Sequence, residues 1–386
     1  MAGPAAGPPG PLSYQQPSGG GGRAPAPGCT GRGHRLLLRP PAALGSPLPP
    51  ADLSGDGGPG RPGAEFALHY GTPQSLKVGQ LLAVVLQTNN DGFIPGGCMK
   101  GVITIAGYGT RFLPASKALP KEMIPIAGIP LIQYHVESLV ASGITDIIVV
   151  VRGGSEVVER HFAPAPDLER HLEATGKWAL LEEVRRLSHL ANIVFVRQPE
   201  TLPYGNASPA LAARPWLTPG EPFYYMFGDD IILADVPVPQ QLLRAYEQYR
   251  PAAVLATQQV PDEETRLYGC MEFKPGTTNV LARIIEKPEP GTAPSNWVQV
   301  GHFIFTPEIF DVLDPRQTGK GGELWMADAV DRLAARATVI VQPIEGMWLA
   351  AGDPLRHLKA SIHAALRRED MREELLAFLR SLVVPA

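Results

Sequence analysis

The hydrophobic positions from residue 99 onward alternate between short, uniformly apolar runs and longer runs in which apolar residues recur every three or four positions. The short runs predict strands at 102–106, 146–151, 192–197, 223–228 and 252–257. The longer runs predict helices, among them 130–142, 168–190 and 238–249. Because strands that alternate with helices usually pair in parallel, the pattern predicts an α/β fold with a mixed, mostly parallel sheet and helices on both faces.

The spacing changes in the last third of the chain. Runs near 268–273, 280–286 and 298–305 predict a smaller antiparallel lobe, and a helix follows at 323–334. Further apolar residues recur at helical spacing between Pro354 and Leu382, namely Leu355, Leu358, Ile362, Leu366 and Leu375. This last pattern indicates packing or a subunit contact rather than a site.

Residues 1–98 differ from the rest in composition. Almost half of the first 64 residues are Gly or Pro, and apolar residues there follow no helix or strand period. Such a segment buries too little apolar surface to offset its ordering entropy, so we predict a disordered extension and linker over 1–98. Residues 99–386 then form the folded domain. Because Met99 directly precedes the first strand, residues 1–98 are an upstream extension or the result of a misassigned start.

Charge and cysteine content exclude several functional classes. The 386 residues carry a formal net charge of −4, and the acidic excess lies after residue 98, whereas a nucleic-acid partner requires a basic face. The three cysteines, Cys29, Cys98 and Cys270, are scattered and predict neither a disulfide framework nor a metal knuckle. No apolar run reaches membrane-spanning length. We expect a cytoplasmic protein with neither a nucleic-acid nor a membrane partner.

The stretch at 101–125, GVITIAGYGTRFLPASKALPKEMIP, joins the first strand to a glycine turn and then to cationic side chains. The small residues of the turn, Ala106, Gly107, Gly109 and Thr110, let backbone N–H groups approach a ligand closely. Arg111 and Lys121 supply fixed cations against the charge that builds up in phosphoryl transfer. The turn alone is typical of an ordinary strand-to-helix connection. Three prolines exclude one amphipathic helix carrying these charges, so the whole run predicts a triphosphate site.

This run resembles the signature of the sugar-nucleotide pyrophosphorylases, and KALPKEMIPIAGIPLIQY at 117–134 is similar to the bacterial UTP-glucose-1-phosphate uridylyltransferases. The resemblance covers most of residues 99–386. It implies a Rossmann-like nucleotidyltransferase fold with the antiparallel lobe on the sugar side. It also implies UTP and glucose 1-phosphate as substrates, Mg²⁺ as cofactor, and a homo-oligomer.

The resemblance also assigns acidic and basic residues near strand ends. Asp229 matches the metal ligand and Asp230 its sugar-side neighbour, both directly after the strand ending in Phe-Gly. Glu286 matches a sugar-hydroxyl acceptor, Lys287 a cation for the sugar phosphate, and the N–H of Gly269 a further sugar contact. Without the family, Asp-Asp is equally typical of a solvated turn and Glu-Lys-Pro of an exposed one.

For the nucleobase, Gln198 matches the residue that reads uracil, because its amide both donates and accepts hydrogen bonds. Glu122 matches a further base contact, and Gly205 lies in the base loop. Leu168, Glu169, Leu172 and Gly176-Lys177 resemble an insertion that the shorter thymidylyltransferases lack. The insertion favours UTP, although one methyl group discriminates by only about 1–3 kcal/mol.

Two positions depart from the family pattern. The base loop, usually Gly-Leu-Gly-His-Ala, is here Pro-Tyr-Gly-Asn-Ala at 203–207. Since Pro203 has no N–H, Tyr204 or Gly205 compensates, or the base is held differently. Ala350 stands where the family commonly has a second metal-binding aspartate, which weakens one metal site but leaves Asp229. The nearest acid, Asp353, is placed instead to cap the following helix.

The sequence therefore predicts an enzyme that condenses UTP with glucose 1-phosphate, with Arg111, Lys121 and Lys287 as catalytic cations. Two alternatives stay open. One is the same reaction with dTTP or another sugar 1-phosphate. The other, motivated by Ala350 and Pro203, is a sugar-nucleotide-binding regulator that has lost activity.

Overall fold

The computed structural model describes residues 99–153 and 156–383. Its strands are β1 (Lys100–Ile105), β2 (Pro125–Ile126), β3 (Ile129–Pro130), β4 (Asp146–Val151), β5 (Asn192–Arg197), β6 (Phe223–Phe227), β7 (Asp230–Leu233), β8 (Ala253–Gln259), β9 (Gly269–Phe273), β10 (Leu281–Glu286), β11 (Trp297–Phe305), β12 (Val339–Pro343) and β13 (Met347–Ala350). Its helices are α1 (Leu131–Ala141), α2 (Glu156–Phe162), α3 (Pro166–Ala174), α4 (Trp178–Ser188), α5 (Ser208–Ala213), α6 (Val238–Tyr249), α7 (Met326–Ala334), α8 (Pro354–Arg367) and α9 (Glu369–Val383).

The predicted segment 1–98, with Cys29 and Cys98, lies outside the described residues. Within the described ranges no helix has the length and apolar character needed to cross a bilayer. Cys270 is a free, buried thiol.

A mixed sheet forms the centre of the fold. Its main path runs β12-β8-β11-β6-β1-β4-β5, and β9 and β10 continue from β11. The strands β6, β1, β4 and β5 are parallel, whereas β11 is antiparallel to β6, β8 and β9. The predicted fold class, a mostly parallel sheet with a smaller antiparallel lobe, is confirmed.

The central strands are uniformly apolar because both faces of the sheet are covered. Val102 and Ile103 are adjacent in β1, and both are fully buried. Successive side chains of a strand point to opposite faces, so Val102 joins a core with α5 and α7, and Ile103 joins one with α1 and α6. This double coverage makes the strands recognisable in the sequence.

The carboxyl ends of the parallel strands meet at one edge of the sheet. Thr104 of β1 is in register with Val150 of β4 and with Phe227 of β6. The N–H of Gly228 donates to the Thr104 carbonyl at 3.1 Å, and a Cβ on Gly228 would lie 2.6 Å from the Ile105 side chain. Glycine thus brings the loop after β6 against the end of β1, where open α/β sheets bind ligands.

Two segments differ from the sequence-based expectation. The predicted helix at 168–190 is two helices, α3 and α4, because Gly176 between them has a left-handed backbone with φ 68°. The short antiparallel pair β7–β13 is not indicated by the sequence pattern, since strands of four residues carry almost no periodicity. This pair places Ala350 opposite Asp230.

The C-terminal helices confirm one expectation and correct another. Asp353 caps α8 as predicted, with its Oδ1 accepting a hydrogen bond from the Arg356 N–H at 3.0 Å. Leu355 and Leu358, however, are 62 % and 57 % exposed, and Ala360 is among the residues that α8 buries. Leu355 and Leu358 therefore do not pack within the chain, whereas Ile362, Leu366 and Leu375 are half-buried. A subunit contact at these leucines stays a prediction.

Candidate active site

The glycine turn after β1 leaves an open backbone surface. A Cβ at Gly107 would meet no atom within 4 Å. Gly109 has a left-handed backbone with φ 62°, and its carbonyl accepts a hydrogen bond from Ser116 Oγ at 2.8 Å. Ala106 is buried at the end of β1, and Thr110 is exposed. The residues of this turn thus lie at the carboxyl edge of the parallel strands, and their nucleotide contacts stay predictions.

Arg111, Lys121 and Asp229 form one charged cluster beside this turn. Lys121 Nζ lies 3.1 Å from Asp229 Oδ2 and 3.9 Å from Glu122 Oε1. The Arg111 guanidinium lies against Gly352, where a Cβ would be only 2.9 Å from Nη2. Residues 111 and 121 therefore meet residues from the loops after β6 and β13, more than 100 positions along the chain.

The opposite charges of Lys121 and Asp229 stabilise each other. Burial by itself lowers the pKa of Lys121, but Asp229 and Glu122 more than compensate, and the pKa is raised. Lys121 in turn holds the pKa of Asp229 below its usual value against the effect of burial. Lys121 and Asp229 are therefore both ionised at neutral pH. Glu122 is 2 % exposed, and burial raises its pKa to about 7, with Lys121 opposing.

The two adjacent aspartates have different surroundings. Asp229 faces Lys121, and its carboxylate is 34 % exposed. Asp230 instead accepts hydrogen bonds from Trp348 Nε1 at 2.8 Å and from the Ala351 N–H at 3.4 Å. Burial and then the charge of Asp229 raise the pKa of Asp230 to about 7. Asp229 is therefore the carboxylate with room for a ligand, and Asp230 fixes the loop after β13.

A second cluster combines Gly269, Glu286 and Lys287. Gly269 and Glu286 are paired residues of β9 and β10, and a Cβ on Gly269 would lie 3.1 Å from Glu286 Oε2. Lys287 Nζ lies 3.7 Å from Glu286 Oε1 and 4.1 Å from the centre of the Trp325 ring. A cavity of about 200 Å³ opens here, lined by Ile284, Ile285, Glu286, Lys287, Lys320, Trp325 and Asp328. Of the four predicted sugar-side residues, Glu286 and Lys287 thus line one cavity, Gly269 is paired with Glu286 beside it, and Asp230 lies at the first cluster.

Tyr268 and Trp348 connect the two clusters. The Lys287 N–H donates to the Tyr268 carbonyl at 3.0 Å, and the Tyr268 ring centre lies 4.9 Å from that of Trp348. Trp348 then donates to Asp230. Neither aromatic residue is indicated as a site residue by the sequence alone, because their roles depend on contacts between distant segments.

The base loop is held by its own polar contacts. Gly205 has φ 142°, and a Cβ there would lie 2.3 Å from the Leu324 carbonyl oxygen, so this position requires glycine. Asn206 Oδ1 accepts a hydrogen bond from the Met326 N–H at 2.7 Å. Gln198 is buried at the end of β5, and its N–H donates to the Val151 carbonyl at 2.8 Å. The base contacts of Gln198 and Gly205 stay predictions.

Arg152 is a functional candidate that the sequence analysis missed. It follows β4 directly, as Ala106 follows β1, and a cation just after an apolar strand was an available signal. Its Nε donates to the Ala106 carbonyl at 2.8 Å and its Nη1 to Tyr108 Oη at 3.1 Å. A further cation therefore stands at the glycine turn.

Two buried histidines lie behind the Asp229 loop. Burial lowers the pKa of His135 to about 4 and that of His302 to about 3, so both are neutral at pH 7. His302 Nδ1 lies 2.6 Å from Tyr224 Oη. Within the part of the chain that the structure describes, His135 Nε2 has no hydrogen-bond partner. The sequence gives no signal for this arrangement, because His135 lies in an apolar helix and His302 in an apolar strand.

The chain is similar to known nucleotidyltransferases in sequence and in fold. The nucleotidyl transferase family profile matches residues 100–365. The chain is 40 % identical over 286 residues to UTP–glucose-1-phosphate uridylyltransferase of Bacillus subtilis (strain 168), covering 74 % of this chain and 97 % of that protein. It is similar to a solved UDP-glucose pyrophosphorylase from Acinetobacter baumannii, with TM-score 0.67, 28 % identity, and 74 % and 99 % of the two chains covered. A UTP-bound structure of the enzyme from the same organism is similar with a TM-score of 0.66 and 29 % sequence identity, and the match covers 74 % of this chain and 99 % of that chain.

Proposed function

Since the chain belongs to the nucleotidyl transferase family, we propose that it joins UTP to glucose 1-phosphate, forming UDP-glucose and releasing pyrophosphate. The proposal rests on one observation: Trp348 and Tyr268 connect two clusters of charged residues. The Arg111–Lys121–Asp229 cluster suits a polyphosphate, and the Gly269–Glu286–Lys287 cluster suits a sugar phosphate.

In the proposed reaction, a phosphate oxygen of glucose 1-phosphate attacks the α-phosphorus of UTP. The bond between the α-phosphorus and its bridging oxygen to the β-phosphorus breaks, and pyrophosphate leaves with the electron pair. No enzyme nucleophile is needed, so the protein acts by positioning and charge stabilisation. Arg111 stabilises the charge of the departing pyrophosphate, and Lys121 and Lys287 orient the attacking phosphate. Glu286 accepts a hydrogen bond from a sugar hydroxyl.

The residues present fit a divalent cation, and we propose Mg²⁺ held by Asp229. Its carboxylate is ionised and about one-third exposed, and Mg²⁺ needs only one or two carboxylates besides phosphate oxygens and water. When bound, the ion would neutralise part of the phosphate charge. Within the described residues no group of three or more His, Cys, Asp or Glu side chains forms a closed metal site, in keeping with a cation held largely by the substrate.

A coupled assay of pyrophosphate release tests the proposal. We expect release with UTP plus glucose 1-phosphate, and slower release with dTTP or with other sugar 1-phosphates. A faster reaction with another pair would reassign the substrates. The Ala350 position, opposite Asp230, favours one competing function, a regulator that binds sugar nucleotides. That function predicts thermal stabilisation by UDP-glucose with no pyrophosphate release at any Mg²⁺ concentration.

The pKa of Glu286 leads to a pH prediction. Burial raises this pKa to about 7, with Lys287 opposing, so the carboxyl is protonated below about pH 7 and ionised above it. Because the ionised form is the better hydroxyl acceptor, protons compete with the sugar, and KM for glucose 1-phosphate should rise as pH falls below 7. The rise is at most about tenfold per pH unit for one group. KM at pH 5.5–8.5 measures it.

Glu286→Gln is the control for this prediction. It removes the titrating group, so only the titration of the sugar phosphate itself should remain in its KM profile. Identical profiles for the two proteins would exclude Glu286 as the group responsible.

A further inference from the structure

We propose that Tyr108, Tyr204 and Arg152 form a stacking wall for the nucleobase of the bound nucleotide. The inference rests on the proposed function, because it assigns the base end of the same nucleotide site. It adds Tyr108 and Arg152 to Tyr204 and gives a way in which this chain holds a base despite Pro203.

The two tyrosine rings form an exposed pair beside an open backbone. Their centres are 6.0 Å apart and their planes are inclined by 24°. Tyr108 is 62 % exposed and Tyr204 is 46 % exposed. A Cβ at Gly107, next to Tyr108 in the chain, would meet no atom of a non-neighbouring residue within 4 Å, so the backbone beside Tyr108 is open. An exposed aromatic face next to such space suits a planar ring, because every base can stack on it.

The wall is anchored on two sides. The Arg152 guanidinium lies 4.3 Å from the Tyr108 ring centre and 5.7 Å from that of Tyr204. It is itself held by the Ala106 carbonyl and Tyr108 Oη. The Tyr204 carbonyl accepts a hydrogen bond from the Leu324 N–H at 2.8 Å. The Tyr108 ring and the backbone of Tyr204 are therefore held before any ligand binds, which limits the entropy lost on stacking.

The order of the strands identifies the base as the part of the nucleotide that stacks. The phosphate cluster lies where β1 meets β6, because Asp229 follows β6. Arg152 follows β4, on the other side of β1, and Gln198 follows β5, one strand further out. A nucleotide with its phosphates at Lys121 therefore extends its base toward Tyr108, Tyr204 and Gln198.

Stacking also replaces a contact that the base loop lacks. Pro203 has no N–H to donate to a base edge. An aromatic face needs no backbone donor, so Tyr204, the next residue, supplies binding free energy in another form. Loss of one stacked side chain typically weakens binding on the order of tenfold.

The test is calorimetric binding of UTP and of inorganic tripolyphosphate to the full chain and its variants. We expect Tyr204→Leu and Tyr108→Leu each to weaken UTP binding about tenfold and to leave tripolyphosphate binding unchanged. Tyr204→Phe should bind UTP like the original chain, because stacking requires the ring and not the hydroxyl. Tyr249→Leu is the matched control, since Tyr249 is 45 % exposed at the end of α6.

Unchanged UTP binding by both leucine variants, or equal weakening of UTP and tripolyphosphate, overturns the wall. Pyrophosphate release by the same proteins separates this result from the proposed function. If the chain is active and its leucine variants bind UTP normally, the proposed function stands and the stacking wall is excluded. If the chain releases no pyrophosphate, but Tyr204→Leu weakens UTP binding tenfold, the stacking wall stands and the catalytic function is excluded.

Discussion

Replacing Lys121 by methionine is expected to lower turnover with UTP and glucose 1-phosphate by roughly 10²–10³-fold while the protein stays folded. Lys121 Nζ lies 3.1 Å from Asp229 and only 12 % of its side chain is exposed. A cation held in place in a partly buried site stabilises developing phosphate charge without rearranging first. Methionine keeps most of the side-chain volume, so the loss reports on the charge.

Steady-state pyrophosphate release measures this effect, with thermal unfolding as the check on folding. Lys359→Met is the matched control, because it removes an exposed lysine from α8. The Asp229 side chain is 34 % exposed, so water can solvate its carboxylate once Lys121 is gone, and the protein should stay folded with at most a modest fall in melting temperature. Full activity of a folded Lys121→Met protein would show that Lys121 has no part in the chemistry.

The elements best predicted from the sequence are those whose burial imposes a uniform pattern. Strand β4, Asp146–Val151, is predicted to the residue because both of its faces pack in a core. The prediction of one continuous helix at 168–190 is wrong because a single left-handed glycine, Gly176, interrupts an otherwise continuous amphipathic pattern. Strands β7 and β13 escape prediction because they are short and each finds its partner more than 100 residues away.

In the candidate site, too, features carried by one continuous segment are predictable from the sequence, and contacts between distant segments are not. The run at 101–125 carries enough adjacent signals to identify the family, and the profile match and the 40 % identical relative confirm that resemblance. The contacts that shape the site join distant segments: Arg111 with Gly352, Asp230 with Trp348, and Tyr108 with Tyr204. Composition and spacing do not indicate which distant residues meet, so the role of Trp348 becomes visible only in the folded chain.

The structure also changes what the loss of a carboxylate at Ala350 means. Ala350 is paired with Asp230, whose carboxylate oxygens accept bonds from Trp348 and Ala351 and whose pKa is raised to about 7, first by burial. Asp230 is thus committed to holding the loop after β13. The ionised carboxylate beside Lys121 is that of Asp229, so the Mg²⁺ that we propose at this edge depends on Asp229.

Asp229→Asn is therefore expected to raise the Mg²⁺ concentration for half-maximal activity at least about tenfold and to lower turnover on the order of 100-fold. Asparagine keeps the shape and a carbonyl oxygen but removes the negative charge that attracts a hard cation. Titration of pyrophosphate release with Mg²⁺, and calorimetry of UTP binding with and without Mg²⁺, measure the two effects. Asp146→Asn, at the opposite edge of the sheet, is the control, because Asp146 is exposed and its Oδ1 accepts a hydrogen bond from Asn192 Nδ2 at 3.0 Å, far from the cationic cluster. An unchanged Mg²⁺ dependence in Asp229→Asn would mean that the cation binds elsewhere, and the phosphate end of the site would have to be reassigned.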